Sequence, residues 1–345
     1  MKKVYMTKPK ILITGGAGYI GNILVKKLFQ AKERHLAKQP SLNNMDNPYS
    51  IDFHSITVVD NLMYKQVCLT DYCYKDDFNF IVGDVRDESL MESLIASHDI
   101  IIPLAAIVGF PASAKDEQLA TSVNYKQIKT ITERVSKDQL VIYPNTNSGY
   151  GVGGEDFCTE ESPLKPQSHY GLTKVAAEEC LLRAQKTSIV LRLATVFGIS
   201  PRMRLDLLVN DFTYKAFNDK YLVLFEPHFR RNYIHIQDVA MTFIFMIHQW
   251  MSGNNKIINE PFNVGLSSAN LSKFELAEKI KTYIPDLFIA TADISSDPDK
   301  RDYIVSNKKL ESIGWNPYYS LDMGITELLK AYKIISNYNK KFTNL

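Results

Sequence analysis

Apolar positions along the chain gather into short runs that alternate with amphipathic stretches. Ile11–Ile13, Ser55–Asp60, Phe78–Asp84, Asp99–Ala106, Leu140–Tyr143 and Ser188–Leu193 are compact and rich in β-branched residues. Between them Ile20, Ile23, Leu24 and Leu28 recur at helical spacing. Tyr19–Lys32, Glu88–Ser97, Leu119–Ser136 and His169–Lys186 read as helices. Continuously apolar strands suit a parallel sheet covered on both faces. The βα alternation predicts an α/β fold, a Rossmann-like doubly wound parallel sheet with right-handed crossovers. After about Thr195 the rhythm becomes irregular. Arg204–Asn218 and Gln237–Met251 read as helices, and Phe262–Gly265 as a short strand. Ser272 with Glu275 forms a capping box before a helix to about Tyr283, and Leu321–Tyr338 reads as a terminal helix.

The first strand runs into Thr14-Gly-Gly-Ala-Gly-Tyr-Ile-Gly21, and a helix follows. Both Gly16/Gly18/Gly21 and Gly15/Gly18/Gly21 fit glycine registers of a dinucleotide-binding turn. Such glycines allow the tight turn, the approach of a pyrophosphate and close helix–strand packing. The helix N-terminus then favours the negative charge. Asp60 ends the second strand, where an acid binds the adenosine ribose hydroxyls. It lies 39 residues past Gly21, and the surplus over the usual ~20 matches the polar stretch Glu33–Ser50, read as a surface insertion. A carboxylate there repels a 2′-phosphate, which favours NAD over NADP. The expected organisation is an NAD-binding domain over 1–195, to which 232–268 returns. A smaller mixed C-terminal substrate lobe is expected from 196–231 and 269–345, lying over the C-terminal ends of the strands, where ligands bind in open α/β sheets.

Tyr170 and Lys174 stand four apart on the helix after the fifth strand, which puts them on one face. A Lys ammonium one turn away would lower the phenol's pKa and let Tyr170 take a proton from a carbinol while hydride leaves for NAD. His235 sits in an apolar run and reads as a structural hydrogen-bonder. No His/Glu spacing of the metalloprotease type occurs, so no metal is expected.

Composition narrows the picture further. The 345 residues, 45% of them hydrophobic, can build one large or two fused domains. With 40 basic and 38 acidic residues, the net charge of +2 carries no basic tract that would make nucleic acid or an anionic membrane a main partner. No run reaches the ~18 apolar residues of a membrane span. The apolar run after Met1-Lys2-Lys3 is broken by Thr14 and glycines, so secretion is not expected. Cys68, Cys73, Cys158 and Cys180 form no C-x-x-C pair and fit reduced thiols in the cytoplasm.

Together these motifs resemble the extended short-chain dehydrogenases/reductases, the nucleotide-sugar epimerases and dehydratases, over nearly the whole chain. The resemblance rests on Thr14–Gly21, Asp60-Asn61-Leu62, Gly83-Asp84, Leu104-Ala105-Ala106, Tyr170-x-x-x-Lys174, Arg231-Asn-Tyr-Ile-His235 and Phe262–Gly265. It implies NAD contacts from Gly15, Gly18, Tyr19, Ile20, Gly21, Asp60, Asn61, Asp84, Val85, Leu104, Ala105, Ala106, Tyr170 and Lys174. It implies catalysis by Thr146, Tyr170 and Lys174, with Ser148 a rival to Thr146 at the reacting sugar oxygen. The 4,6-dehydratases carry Asp-Glu after this Thr; Asn147-Ser148 stands here, which argues against dehydration. The usual Asn-Val-Tyr-Gly is Thr195-Val-Phe-Gly198.

Tyr143–Gly151, Leu191–Arg204 and Asp297–Asp302 resemble C4 dehydrogenases of GDP-manno-heptose in bacterial capsule synthesis. That resemblance implies a GDP-4-keto-heptose product, with Arg202, Arg204, Arg231 and Arg301 as candidates for the sugar-nucleotide diphosphate, a task suited to planar guanidinium. A C4 epimerase uses the same NAD, Tyr and Lys. A non-catalytic NAD-binding scaffold is the alternative of another class. The family resemblance also implies a homodimer built on Leu119–Ser136 and His169–Lys186. Val123, Ile128, Ile131 and Val135 on the first helix, and Val175, Ala176, Ala177 and Leu182 on the second, either serve that contact or face the parent sheet.

Overall fold

The computed structural model describes residues 8–37, 49–292 and 301–335. Its first half alternates strand and helix: β1 (Lys10–Thr14), α1 (Tyr19–Ala37), β2 (Ser55–Asp60), β3 (Phe78–Val82), α2 (Glu88–Ser97) and β4 (Ile100–Pro103). Then come α3 (Phe110–Lys115), α4 (Glu117–Thr121), a π turn at Ser122–Lys126, α5 (Gln127–Arg134), β5 (Leu140–Thr146), α6 (His169–Arg183) and β6 (Ser188–Leu193). The second half holds β7 (Thr195–Phe197), α7 (Leu208–Asp219), β8 (Tyr221–Phe225), β9 (Arg230–His235), α8 (Ile236–Met251), β10 (Glu260–Val264), β11 (Asn270–Ser272), α9 (Lys273–Lys281), β12 (Phe288–Ala292), α10 (Lys308–Ser312) and α11 (Leu321–Ile335).

Seven strands make one parallel sheet in the order β10-β6-β5-β4-β1-β2-β3. Strands β1 and β4 are neighbours in space but not in sequence, so the winding reverses between them. A crevice opens at such a switch point, outside the carboxyl ends of the strands. Ile11, Leu12, Ile13, Ile100, Ile101, Ile102, Val141 and Ile142 are fully buried, as strands covered on both faces must be. Helix α8 packs on α1 and is almost wholly buried, which accounts for its apolar sequence. The segment after it adds β10 beside β6. A smaller mixed sheet, β11-β9-β7, and the pair β12-β8 lie outside the main sheet.

Several elements differ from the sequence expectation. Helix α1 continues five residues further, to Ala37, so Glu33–Ala37 of the supposed insertion is helical; 38–48 lies outside the described residues. The expected helix at Leu119–Ser136 starts at Glu117, capped by the Asp116 side chain, and carries the π turn. That turn aims Asn124 at Ile107, accepting its N–H at 2.8 Å and donating to its carbonyl at 3.1 Å. Strand β5 runs on through Pro144 to Thr146, because Pro144 gives up a ladder N–H while its carbonyl finds Lys174. Residues 204–207 are not helical; α7 begins at Leu208. The terminal helix is described to Ile335. The capping box at Ser272 and Glu275 is present on both sides.

Val123, Ile128, Ile131 and Val135 are buried within the subunit, Ile128, Ile131 and Val135 against the sheet. Val175 and Ala177 are buried too. These residues therefore face the parent core, whereas Ala176, also one of the expected contact residues, is exposed on α6, as is Leu172.

Candidate active site

The glycine turn is tight because two of its positions admit no side chain. Gly15 has φ +69°, and a Cβ there would stand 2.6 Å from the Ala105 backbone. At Gly21 it would stand 2.4 Å from the Gly16 carbonyl oxygen. Asp60 accepts from the Ala17 N–H at 3.1 Å, tying the end of β2 to the turn, and from Leu62 N–H at 2.8 Å. Burial pushes its carboxyl up, and these N–H donors oppose that shift. Asp84 is gripped by Arg86, Nε to Oδ1 at 2.9 Å and Nη2 to Oδ2 at 2.8 Å, which holds it down at about 2.

From here a cleft of about 480 Å³ extends over the strand ends. Gly15, Gly18, Tyr19, Ile20, Gly21, Asp60, Asn61, Asp84, Val85, Leu104, Ala105 and Ala106 line it, as do Thr146, Tyr170 and Lys174. Arg202, Arg204, Arg231 and Arg301 also reach it. Ser148 does not line it. It is 2% exposed and spends its hydroxyl on Thr146 Oγ1 at 2.7 Å, because the turn capped by Thr146 folds it behind that residue. Of the two hydroxyls, Thr146 faces the cleft. Asn147 is fully buried and does not line it either.

Tyr170 and Lys174 share the cleft, and both are deeply buried. Burial pushes the Tyr170 phenol up to about 12, opposed chiefly by the Arg204 charge and then by Arg301. The Lys174 ammonium donates to the Pro144 carbonyl at 2.6 Å and lies 4.1 Å over the Tyr143 ring. Burial pulls Lys174 down to about 7, opposed by Glu178 one turn on. The charge that chiefly opposes the phenol's shift is thus Arg204, 34 residues past it, and spacing on one helix could not reveal that. Arg204 is held by Asp206, Nε to Oδ1 at 3.2 Å, and its backbone carbonyl accepts from Asn210 at 2.8 Å.

Other pieces escaped the sequence reading. Glu178 and Arg192 form a buried ion pair behind Lys174, Nη2 to Oε1 at 2.6 Å. Asn145 donates to Glu178 and accepts from the Thr146 N–H at 2.8 Å, so the pair fixes the end of β5. Glu178 lies four past Lys174, the one signal of it available in sequence. Tyr19 lines the cleft, but its hydroxyl donates to the Gly198 carbonyl at 2.6 Å, and Asn210 donates to it. Lys273 and Tyr303 line the cleft with Arg231, which lies 5.7 Å over Tyr303. His235 is fully buried; its Nδ1 accepts from Gln237 N–H, which leaves Nε2 to donate to Glu327 at 2.7 Å. It is a structural residue. Among the described residues no cluster of three His, Cys, Asp or Glu could hold a metal, and no helix is long and apolar enough to cross a membrane.

A model of the NAD dependent epimerase/dehydratase family matches residues 11–265. The chain belongs to that family. Among curated relatives, the low-salt glycan biosynthesis protein Agl12 of Haloferax volcanii is 25% identical, over 93% of this chain and 98% of its own. The dTDP-glucose 4,6-dehydratase of Streptomyces niveus is 24% identical, over 94% and 93%. The solved UDP-glucose 4-epimerase of Thermotoga maritima superposes with a TM-score of 0.75 at 22% identity, over 95% of this chain and all of that one. NAD is therefore the cofactor of this epimerase/dehydratase-family enzyme. The residues fit the dinucleotide: Gly15 and Gly21 keep the turn open to a phosphate, α1 points its N-terminus there, and Asp60 closes β2 beside it. When bound, NAD accepts a hydride from a carbinol carbon.

Proposed function

We propose that the enzyme oxidises a nucleotide sugar at C4 and releases the ketone, with GDP-D-glycero-α-D-manno-heptose as substrate, in surface-polysaccharide synthesis in the cytoplasm. Thr146, Tyr170 and Lys174 are its catalytic residues. Arg231 and Arg301, which line the cleft with Lys273, hold the diphosphate of the sugar nucleotide. The reading of GDP-heptose rests on the resemblance of Tyr143–Gly151 and Leu191–Arg204; residues 297–300 of the third resembling stretch lie outside the described residues.

One observation favours oxidation over dehydration. Elimination of water needs a carboxyl acid and base beside the sugar. The positions after Thr146 are Asn147 and Ser148, both buried away from the cleft. The described carboxylates that line the cleft are engaged elsewhere: Asp60 and Asp84 at the glycine-turn end, Asp206 on Arg204, and Asp211 on Lys215 at 2.7 Å. An epimerase uses the same groups and differs only in returning the hydride. The test is incubation with GDP-manno-heptose and a panel of other sugar nucleotides, followed by product mass. Loss of two hydrogens from the GDP-heptose supports the reading. Loss of water, or no change with any sugar, overturns it.

A further inference from the structure

Asn210 sits in the first turn of α7 and is fully buried. Asparagine is a mediocre helix former, so nothing in the helix itself asks for it. Its side-chain bonds all leave α7. Oδ1 accepts from the Gly198 N–H at 3.0 Å, and Nδ2 donates to the Arg204 carbonyl at 2.8 Å and to the Tyr19 hydroxyl at 3.2 Å. Its own backbone carbonyl accepts from the Tyr332 O–H at 2.8 Å, so α11 holds it as well.

Three pieces of chain therefore meet on one amide. Tyr19 is the first residue of α1 and lines the cleft. Its hydroxyl also donates to the Gly198 carbonyl at 2.6 Å, so Tyr19, Gly198 and Asn210 close a ring of hydrogen bonds. Arg204 lines the same cleft as Tyr170 and is anchored twice, its side chain on Asp206 and its backbone on Asn210. Buried polar groups do not stay unpaired cheaply. Without the amide, the Arg204 carbonyl and the Gly198 N–H must find other partners, and the backbone that carries the guanidinium has to shift to reach them.

We infer that Asn210 is a positioning residue for the proton-accepting step: through its bond to the Arg204 backbone it sets where that guanidinium stands in the cleft, in register with the start of α1. Asn210 itself does not line the cleft. The Arg204 charge is the one that chiefly opposes the upward shift of the Tyr170 phenol, so the position of Arg204 is felt at the base. The inference rests on Tyr170 as the base of the proposed reaction. Its test reads the Tyr170 proton directly, so a sugar panel without turnover leaves it standing.

The test is fluorine NMR of protein carrying 3-fluorotyrosine, whose phenol is more acidic than that of tyrosine and titrates at lower pH. Tyr170→Phe assigns the Tyr170 signal. Far-ultraviolet circular dichroism selects the variants that fold, and Asn210→Ser, too short to span the same bonds, stands in if Asn210→Ala does not fold. In the folded variant the Tyr170 signal should titrate higher than in wild type by about half a pH unit or more. In an Arg204→Met background the same substitution should add nothing, because the group it positions is gone. A Tyr170 titration that is unchanged or moves lower overturns the inference. So does a rise of equal size with and without the Arg204 side chain, which would mark a general loosening of the site. Failure of both Asn210 variants to fold would make the residue a structural one and overturns it as well.

Discussion

Tyr170 is the base of the proposed reaction, and its surroundings were only half legible in the sequence. The Tyr170-x-x-x-Lys174 spacing located the pair, but helical spacing says nothing of the groups that approach from other parts of the chain. Lys174 donates to the Pro144 carbonyl, and the charge that chiefly opposes the phenol's upward shift, Arg204, comes from a loop 34 residues on. Replacing Tyr170 by Phe removes the proton acceptor alone. Turnover should fall by ~10²–10⁴-fold, with NAD affinity within about twofold of wild type. Turnover at the wild-type rate would exclude Tyr170 as the base. With the phenol pushed up to about 12 by burial, the base form grows as pH rises, so oxidation should accelerate from neutral into alkaline pH. Arg204→Met takes away the charge that chiefly opposes this shift. The phenol's pKa then rises, and the alkaline limb of the pH–rate profile should move to higher pH. A limb that stays put, or moves lower, would show that Arg204 does not act on Tyr170.

At the scale of elements, β5 and α6 form the unit that presents Thr146, Tyr170 and Lys174. They are stitched together by Glu178 and Arg192, with Asn145 reaching the carboxylate from β5 and Tyr150 accepting from the guanidinium at 3.0 Å. Both ions are nearly inaccessible, at 2% and 5% exposure. Removing one partner leaves a buried charge alone, which costs about 3–5 kcal/mol. Glu178→Gln should therefore unfold at clearly lower denaturant, and Lys174 should lose the neighbour that opposes its downward shift. Unfolding at the wild-type midpoint would show the pair to be energetically idle. The large-sheet strands were readable because burial on both faces makes each a continuous apolar run. The small strands were not. In β8, Tyr221, Val223 and Phe225 point outward and are apolar, so the polar–apolar alternation that would mark an exposed strand is missing. Strand β7 is three residues long, and its partner β9 is more than thirty residues away.

For the whole molecule, the sheet reverses its winding beside the glycine turn, and the later pieces of chain lie along the cleft that opens there. The glycine turn, Asp60, Thr146 and the Tyr–Lys helix lie on regular elements of the parallel sheet, whose signals are local, so that end of the site was legible. The arginines come from irregular connections and short strands, and tertiary hydrogen bonds such as those of Tyr19 and Asn210 set where that part of the chain lies. The central claim is that hydride leaves C4 of a nucleotide sugar and does not return. A single turnover with enzyme in excess over GDP-manno-heptose deuterated at C4 tests it. The account predicts a 4-keto product without deuterium, with the label on the cofactor. Deuterium retained at C4, in a product of unchanged mass and altered stereochemistry, would contradict it.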